Sequence, residues 1–474
     1  AMRVHMERAT LPSLLLATCL AVLMSTALAR MSLPLALGFG LGLIVLIVTI
    51  ASNELGLYLL VFSMLLGPEL IVGEIGQGTT LGRGVTLRLD DFLVVMVGVA
   101  WLAKTALYKE LGLVFRTPLN QPIAVYAFAA FFATGLGVLM GRVHVVGGSL
   151  FLLKYVEYFI IYFMVVNNLR ERRQFERFLL ALLATAAIVS LIGILQIPSG
   201  QRVSAPFEGE IGEPNTFGGY LVLMLSLVAG LYLMTSQSLR QKVLMAGLAI
   251  LVFLALLFTL SRASYLALIP MAGVLLAFSQ RKLLVAGILV SGLMLAPFLM
   301  PKPVVDRVLF TFTQGRSPQQ FQVGGIRLDT STSDRLRSWQ EVLLVDWPEQ
   351  PVFGYGVTGY HFLDAQYPRV LAETGLVGLL AFLWLQVSLF RQTRAVFKSA
   401  RDPLFKGVAL GFLAGFVAMV THSLGANTFI IVRIMEPFWF LAGMVMMIPQ
   451  LGASPAVREP LSEPPLAQEK RSVR

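Results

Sequence analysis

Four groups of polar residues stand at the ends of apolar runs, where an ionisable side chain is costly enough to need a reason. Arg202 lies in Gln201-Arg202-Val203-Ser204-Ala205-Pro206-Phe207 and is followed by Glu213-Pro214-Asn215-Thr216-Phe217-Gly218-Gly219-Tyr220. Arg262 occupies the turn Thr259-Leu260-Ser261-Arg262-Ala263-Ser264, and Arg335 sits in Asp334-Arg335-Leu336-Arg337-Ser338-Trp339. Asp364, Tyr367 and Glu373 follow one another along a fourth stretch, with His361 three residues before Asp364. Three arginines at membrane level suit an anionic ligand, because guanidinium matches phosphate oxygens in a bidentate way. A diphosphate carried on a lipid presents its charges at this depth. Asp364 supplies a carboxylate able to take a proton from a hydroxyl.

Each group also has a plainer reading. Pro214 suits an ordinary helix start, though that leaves Asn215 unexplained, and Gly218 and Gly219 read as close-packing positions. Arg262 alone reads equally as a snorkelling anchor. Glu373 reads as the partner of an arginine or a helix cap, or else as a sugar ligand. Lys154 and Glu157, three residues apart on one helix face, read as a structural ion pair. His5, His144 and His422 have no ligand spacing, and no metal or cofactor is expected. The single Cys19 allows no disulfide within the chain.

The elements that position these residues are membrane helices. Of 474 residues, 57% are hydrophobic and 13% charged, too few charges for an ordinary soluble protein. Apolar runs of spanning length are expected at 11–29, 33–51, 55–72, 92–108, 120–140, 148–168, 177–197, 214–234, 243–260, 263–279, 283–300, 371–390, 407–427 and 434–449. The fold class expected is all-α, a bundle of about fourteen transmembrane helices. The formal net charge of +11 reflects cytoplasmic loops rather than nucleic-acid binding. Basic segments at 169–177 and 391–406, with Arg240, Lys242, Arg281 and Lys282, fall on one face and place both termini in the cytoplasm. The expected organisation is 1–147, N-terminal helices; 148–300, helices carrying Arg202 and Arg262; 301–370, a long periplasmic loop; 371–449, C-terminal helices; and 450–474, a disordered tail. Within the loop, Val304–Phe312 and Ser333–Asp346 read as short helices, the second capped by Ser333 and ended by Pro348.

Arg202 with Glu213-Pro214-Asn215, the Thr259–Arg262 turn, Arg335 four residues before Trp339, Pro351-Val352-Phe353-Gly354-Tyr355-Gly356, and Leu371-Ala372-Glu373-Thr374-Gly375-Leu376-Val377-Gly378 occur in this order. Together they resemble the O-antigen ligase and polymerase superfamily, over roughly residues 154–378. The resemblance implies a GT-C type glycosyltransferase at the periplasmic face of the bacterial inner membrane. Its donor is a glycan on undecaprenyl diphosphate and its acceptor a lipid-linked glycan, with membrane lipids around it and a chain-length regulator as a candidate partner. No metal and no nucleotide sugar are implied. The family's essential arginines fall on Arg202 and Arg262, with Asp364 as the candidate base. Arg335, Asn215, Glu213, Tyr367, His361 and Glu373 make up the candidate substrate-binding set. One departure matters: the ligases carry histidine nine residues before the Glu of the Glu-x-Gly-Leu stretch, and here that position is Asp364. This and the span count favour a polymerase-like enzyme, and attack from the side opposite the diphosphate makes it inverting. The alternatives are a ligase acting on lipid A core or another acceptor, and a lipid-linked glycan flippase or transporter. Against transport, the chain shows no repeated halves.

Overall fold

The computed structural model describes residues 52–67, 69–71, 86–107, 116–207, 212–235, 238–315, 317, 320–323 and 326–452, with scattered positions between 42 and 49. The expected spans at 11–29 and 33–51 and the expected tail lie wholly or largely outside the described residues. The protein is all-α. Among the described residues nine helices are long and apolar enough to cross a membrane, and three shorter apolar helices occupy three more expected spans. The helices run α1 (Asn53–Leu66), α2 (Leu89–Leu107), α3 (Asn120–Leu139), α4 (Val145–Asn168), α5 (Arg172–Gln196), α6 (Pro214–Met234), α7 (Leu239–Phe258), α8 (Arg262–Phe278) and α9 (Lys282–Leu299). The segment after α9 adds α10 (Lys302–Thr313), α11 (Thr330–Glu341) and α12 (Trp347–Glu349); α13 (Gln366–Ser399), α14 (Pro403–His422) and α15 (Val432–Leu451) follow. Two small antiparallel ladders, Glu69–Ile71 with Thr86–Arg88 and Gln322–Val323 with Ile326–Arg327, are the strand content described.

Contacts divide the chain into two units. In the first, residues 1–60 and 92–113, Gly56 packs where a Cβ would come within 2.6 Å of Thr49. The second, residues 61–91 and 114–474, holds every candidate residue. Its centre is the crossing of α6 and α14. A Cβ on Gly230 would lie 2.5 Å from the Gly407 carbonyl and 2.6 Å from Gly411 Cα, so these backbones touch. Small residues at such crossings replace the hydrophobic drive that lipid removes. At the periphery α9 buries only Val285, and Leu283 and Phe298 are 91% and 83% exposed. In water that surface would be a liability; in hydrocarbon it is the expected lipid-facing side. Lys154 pairs with Glu157 at 3.4 Å, as expected, and also with Asp91.

Helix ends follow local chemistry. Asp402 caps α14, accepting from Leu404 N at 2.8 Å, and binds Arg172 at the start of α5. This end lies opposite the candidate residues. Three expectations in the 301–370 segment are corrected. Ser333 is buried inside α11, whose N-cap is Asp329, and the Ser333 hydroxyl instead accepts from Phe321 N at 2.7 Å. Pro348 does not end the helix, because a π turn at Val342–Asp346 begins a new short turn in which proline near the start costs nothing. The helix expected from Leu371 also begins earlier, at Gln366, and α13 breaks at Gly375 (φ 63°, ψ −165°). The broken turn is completed by the Pro351–Gly356 stretch. Tyr355 N and Gly356 N donate to the Ala372 and Glu373 carbonyls at 2.9 and 2.8 Å. Leu376 N and Val377 N donate to Pro351 and Val352 at 2.9 and 3.2 Å. The two glycine motifs noted in the sequence are thus the two halves of one clasp.

Candidate functional site

Four connecting segments meet at one end of the second unit: 197–213, the α7–α8 turn, the 301–365 segment and the α14–α15 turn. The first carries Arg202. Its loop is pinned by reciprocal bonds between the Gln196 amide and the Ser204 backbone, at 3.0 and 3.1 Å. Val203 N donates to Phe258 O at 3.0 Å, and the buried Arg433 of α15 donates to the Pro206 and Phe207 carbonyls at 2.9 and 3.3 Å. So held, Arg202 Nε donates to Thr259 O at 3.0 Å, and its Nη2 to Asn215 Oδ1 and Leu260 O, both at 3.3 Å. Leu260 has φ 50°, a left-handed conformation that costs a non-glycine residue about 1–2 kcal/mol. The turn it makes presents its carbonyl to arginine.

Arg262 is the first residue of α8, where the helix dipole disfavours a cation. Asp329, 2% exposed, answers it at 2.7 Å, and Thr311 accepts from the same Nη1 at 2.8 Å. Arg335 Nη2 lies 2.8 Å from Asp364 Oδ2, and the Asp364 side chain is 47% exposed. A fourth arginine that sequence reading missed, Arg307 on α10, donates from Nε to Leu260 O at 3.4 Å. Burial first, and then the neighbouring guanidiniums of Arg307, Arg262 and Arg335, lower the Arg202 pKa to about 10, still fully charged at neutral pH. Arg307 is lowered by burial and by Arg262 and Arg335. Burial opposes ionisation of Asp329, but hydrogen bonding and charge from Arg262 outweigh it and hold the carboxyl below its ordinary value. Four arginines against Asp329 and Asp364 make this a site with more positive than negative charge, and the lowering of Arg202 and Arg307 accords with it. The N-termini of α6 and α8 point into the same place, which favours anions further.

His422, without any motif in the sequence, is fully buried behind this site. Its Nε2 lies 3.1 Å from Ser264 Oγ and its Nδ1 2.8 Å from Thr428 Oγ1, and Ser264 Oγ donates to Ser261 Oγ at 2.8 Å. A Cβ at Gly218 would clash with the Ser264 hydroxyl, and one at Gly219 would meet Ile434 at 2.6 Å and His422 at 3.2 Å. The two glycines are close-packing positions, as one reading held, and they make room for this chain of hydroxyls.

Arg202, Asn215, Arg262, Arg335 and Asp364 are therefore brought together. Glu213 stands at the α6 N-cap position, accepting from the Thr216 hydroxyl at 2.9 Å. Tyr367 donates to Val420 O at 3.1 Å and packs near Trp339, with ring centroids 6.2 Å apart. Glu373 is elsewhere. It is buried, accepting from Arg369 at 3.1 Å, Tyr155 at 3.0 Å and Thr358 N at 3.4 Å, so the arginine-partner reading describes its surroundings. His361 is exposed and packs against Tyr360 with the rings tilted by 35°, 4.1 Å between centroids. Among the described residues no group of three His, Cys, Asp or Glu side chains could hold a metal ion.

Residues 247–383 match the family model described as O-antigen ligase. The matched stretch runs from α7 into α13 and contains Arg262, Arg335, Asp364 and Glu373 but not Arg202. It supports the resemblance to the O-antigen ligase and polymerase superfamily. A comparison with curated proteins gave no match.

Proposed function

We propose that this multi-pass membrane protein, similar over residues 247–383 to O-antigen ligase domains, is a polymerase-like, inverting glycosyltransferase. It transfers an undecaprenyl-diphosphate-linked glycan to an acceptor glycan at the periplasmic face of the inner membrane, without metal. The observation that carries the reading is the convergence of Arg202, Arg262 and Arg335 from three separate segments on one place, with the half-exposed Asp364 beside them. An acceptor hydroxyl attacks the anomeric carbon from the side opposite the diphosphate. The new C–O bond forms as the bond to the phosphate oxygen breaks, and the electron pair leaves with the diphosphate. Arg202 and Arg262 stabilise that growing charge, an electrostatic role that is often the largest catalytic contribution. Nη1 of Arg262 is committed to Asp329 and Thr311, which leaves its other nitrogens for the diphosphate. One oxygen of Asp364 is held by Arg335, and the other takes the hydroxyl proton.

The test is incubation of the purified protein with a short undecaprenyl-diphosphate-linked repeat unit, without nucleotide sugar, and separation of the products by length. A ladder is expected from the native protein, and its loss from Arg202→Ala, Arg262→Ala and Asp364→Ala. Full activity in Arg262→Ala would remove that residue from the mechanism. Glycan joined only when lipid A core is added would establish the ligase reading instead, with Asp364 or His361 serving where ligases carry histidine. Counterflow of unaltered glycan in proteoliposomes would establish transport.

A further inference from the structure

We propose that Arg307 is a further ligand of the lipid-linked diphosphate, brought to the site by a helix that lies in the membrane interface. The proposal rests on the glycosyltransferase reading above and adds a residue that neither the sequence motifs nor the family resemblance singled out.

Helix α10 has two faces. Val304, Arg307 and Thr311, at positions i, i+3 and i+7, turn inward: Val304 is 2% exposed and the other two are half-buried. Val305, Val308, Leu309 and Phe312, at i, i+3, i+4 and i+7, form an exposed stripe on the other side, Phe312 at 58%. The helix follows directly on α9, whose surface is almost wholly open to lipid. An apolar stripe continuing from a lipid-facing helix, with charge on the opposite face, is the pattern of a helix lying in the interfacial plane. This places Arg307 at headgroup depth, facing the protein rather than the lipid. A snorkelling arginine would face the other way.

The local bonding points to an anion. Arg307 Nε and Arg202 Nη2 both donate to the carbonyl of Leu260, at 3.4 and 3.3 Å. Two cations sharing one neutral acceptor at long distances is a poor arrangement, and a phosphate oxygen offers each a shorter charge-assisted bond about twice as strong. At this site ion pairs join Arg262 to Asp329 and Arg335 to Asp364. Among the described residues no such pair reaches Arg202 or Arg307. Burial together with neighbouring guanidiniums depresses both arginines, which an entering diphosphate would relieve. Thr311, one turn after Arg307, holds Arg262 and so ties the helix to the same site.

The test uses the full chain in phosphatidylcholine nanodiscs, with undecaprenyl diphosphate, undecaprenyl monophosphate and inorganic pyrophosphate as probes in separate titrations, and thermal unfolding as the check on folding. Arg307→Gln is expected to weaken undecaprenyl diphosphate binding by about tenfold and to narrow its preference over the monophosphate. Arg307→Lys restores part of both. A parallel loss for pyrophosphate would assign the contact to the diphosphate itself. Unchanged diphosphate affinity in Arg307→Gln and Arg307→Lys, with loss in Arg202→Ala, would overturn the role of Arg307 alone. Unchanged affinity in Arg202→Ala as well would overturn the glycosyltransferase reading beneath it. If Arg307→Gln altered only the response to added phosphatidylglycerol, the residue would be a headgroup anchor and the proposal would fail.

Discussion

Replacing Gly375 by alanine tests the clasp that breaks α13. At φ 63° and ψ −165° the residue occupies a region open essentially to glycine, at a cost of about 1–3 kcal/mol to other residues. A Cβ there would sit 2.5 Å from Phe353 N and closer still to Val352. Restoring ordinary contact near 3.5 Å moves the Pro351–Phe353 backbone about 1 Å away. The bonds from Leu376 N and Val377 N, now 2.9 and 3.2 Å, would stretch beyond hydrogen-bond range, at about 0.5–1.5 kcal/mol each. The sum is roughly 2–6 kcal/mol. Gly247 in α7, with nothing within 4 Å of its built Cβ, is the control, where alanine should be neutral or gain up to about 1 kcal/mol of helix propensity. Thermal unfolding of both variants, followed by tryptophan fluorescence in detergent, should show a large drop for Gly375→Ala and none for Gly247→Ala. Equal midpoints would refute the claim that the break in α13 requires glycine at position 375.

Asp329→Asn leaves Arg262 at the start of α8 without its charge partner and should lower stability by about 1–3 kcal/mol. Because the folded pKa of Asp329 is depressed, its contribution is complete at neutral pH and is lost only as pH falls through that value, below the ordinary carboxylate pKa of about 4; midpoints measured against pH should show this acid step in the native chain and not in the variant. Glu373→Gln strips the counter-charge from Arg369, 5% exposed, and should cost about 3–5 kcal/mol. Undecaprenyl diphosphate affinity per folded molecule should nevertheless stay unchanged, and a specific loss of affinity would return Glu373 to the substrate-binding set. His422→Ala strands the Ser264 and Thr428 hydroxyls inside the protein, so both the thermal midpoint and the ladder-forming rate should fall, with His422→Gln recovering part of each; an unaffected rate would separate the buried chain from the positioning of Arg262.

The spans were legible because hydrocarbon imposes long continuous apolar runs, and every expected span from 55 onward has its helix. The arginines were legible for the complementary reason: Arg202, Arg262 and Arg335 stand where charge is expensive. Arg307 was missed although its signal was present, in the two offset stripes of Val304–Phe312, which read as a short helix without asking which side faced what. Asp329 and His422 carry no local pattern; their meaning lies in Arg262 and Ser264, 67 and 158 positions away in the chain. Ser333 was a reasonable cap by residue type, yet Asp329 stands at the N-cap, and its pairing with Arg262 in another segment could not be read locally. The break at Gly375 was hidden for a similar reason, since the backbone that satisfies it comes from Pro351–Gly356.

The crossing of α6 and α14 has a mechanical consequence. With Gly230, Gly407 and Gly411 bringing main chain against main chain, no side-chain layer remains that could shear, so these helices behave as the fixed jaw of a vice. Asn215 and His422 are mounted on that jaw. Helices α9 and α10 are gripped by little protein, and Arg307 rides on the second of them. If the ligand is the proposed lipid-linked diphosphate, any widening of the site would fall to α9 and α10 rather than to this crossing, and Arg307 would move with it.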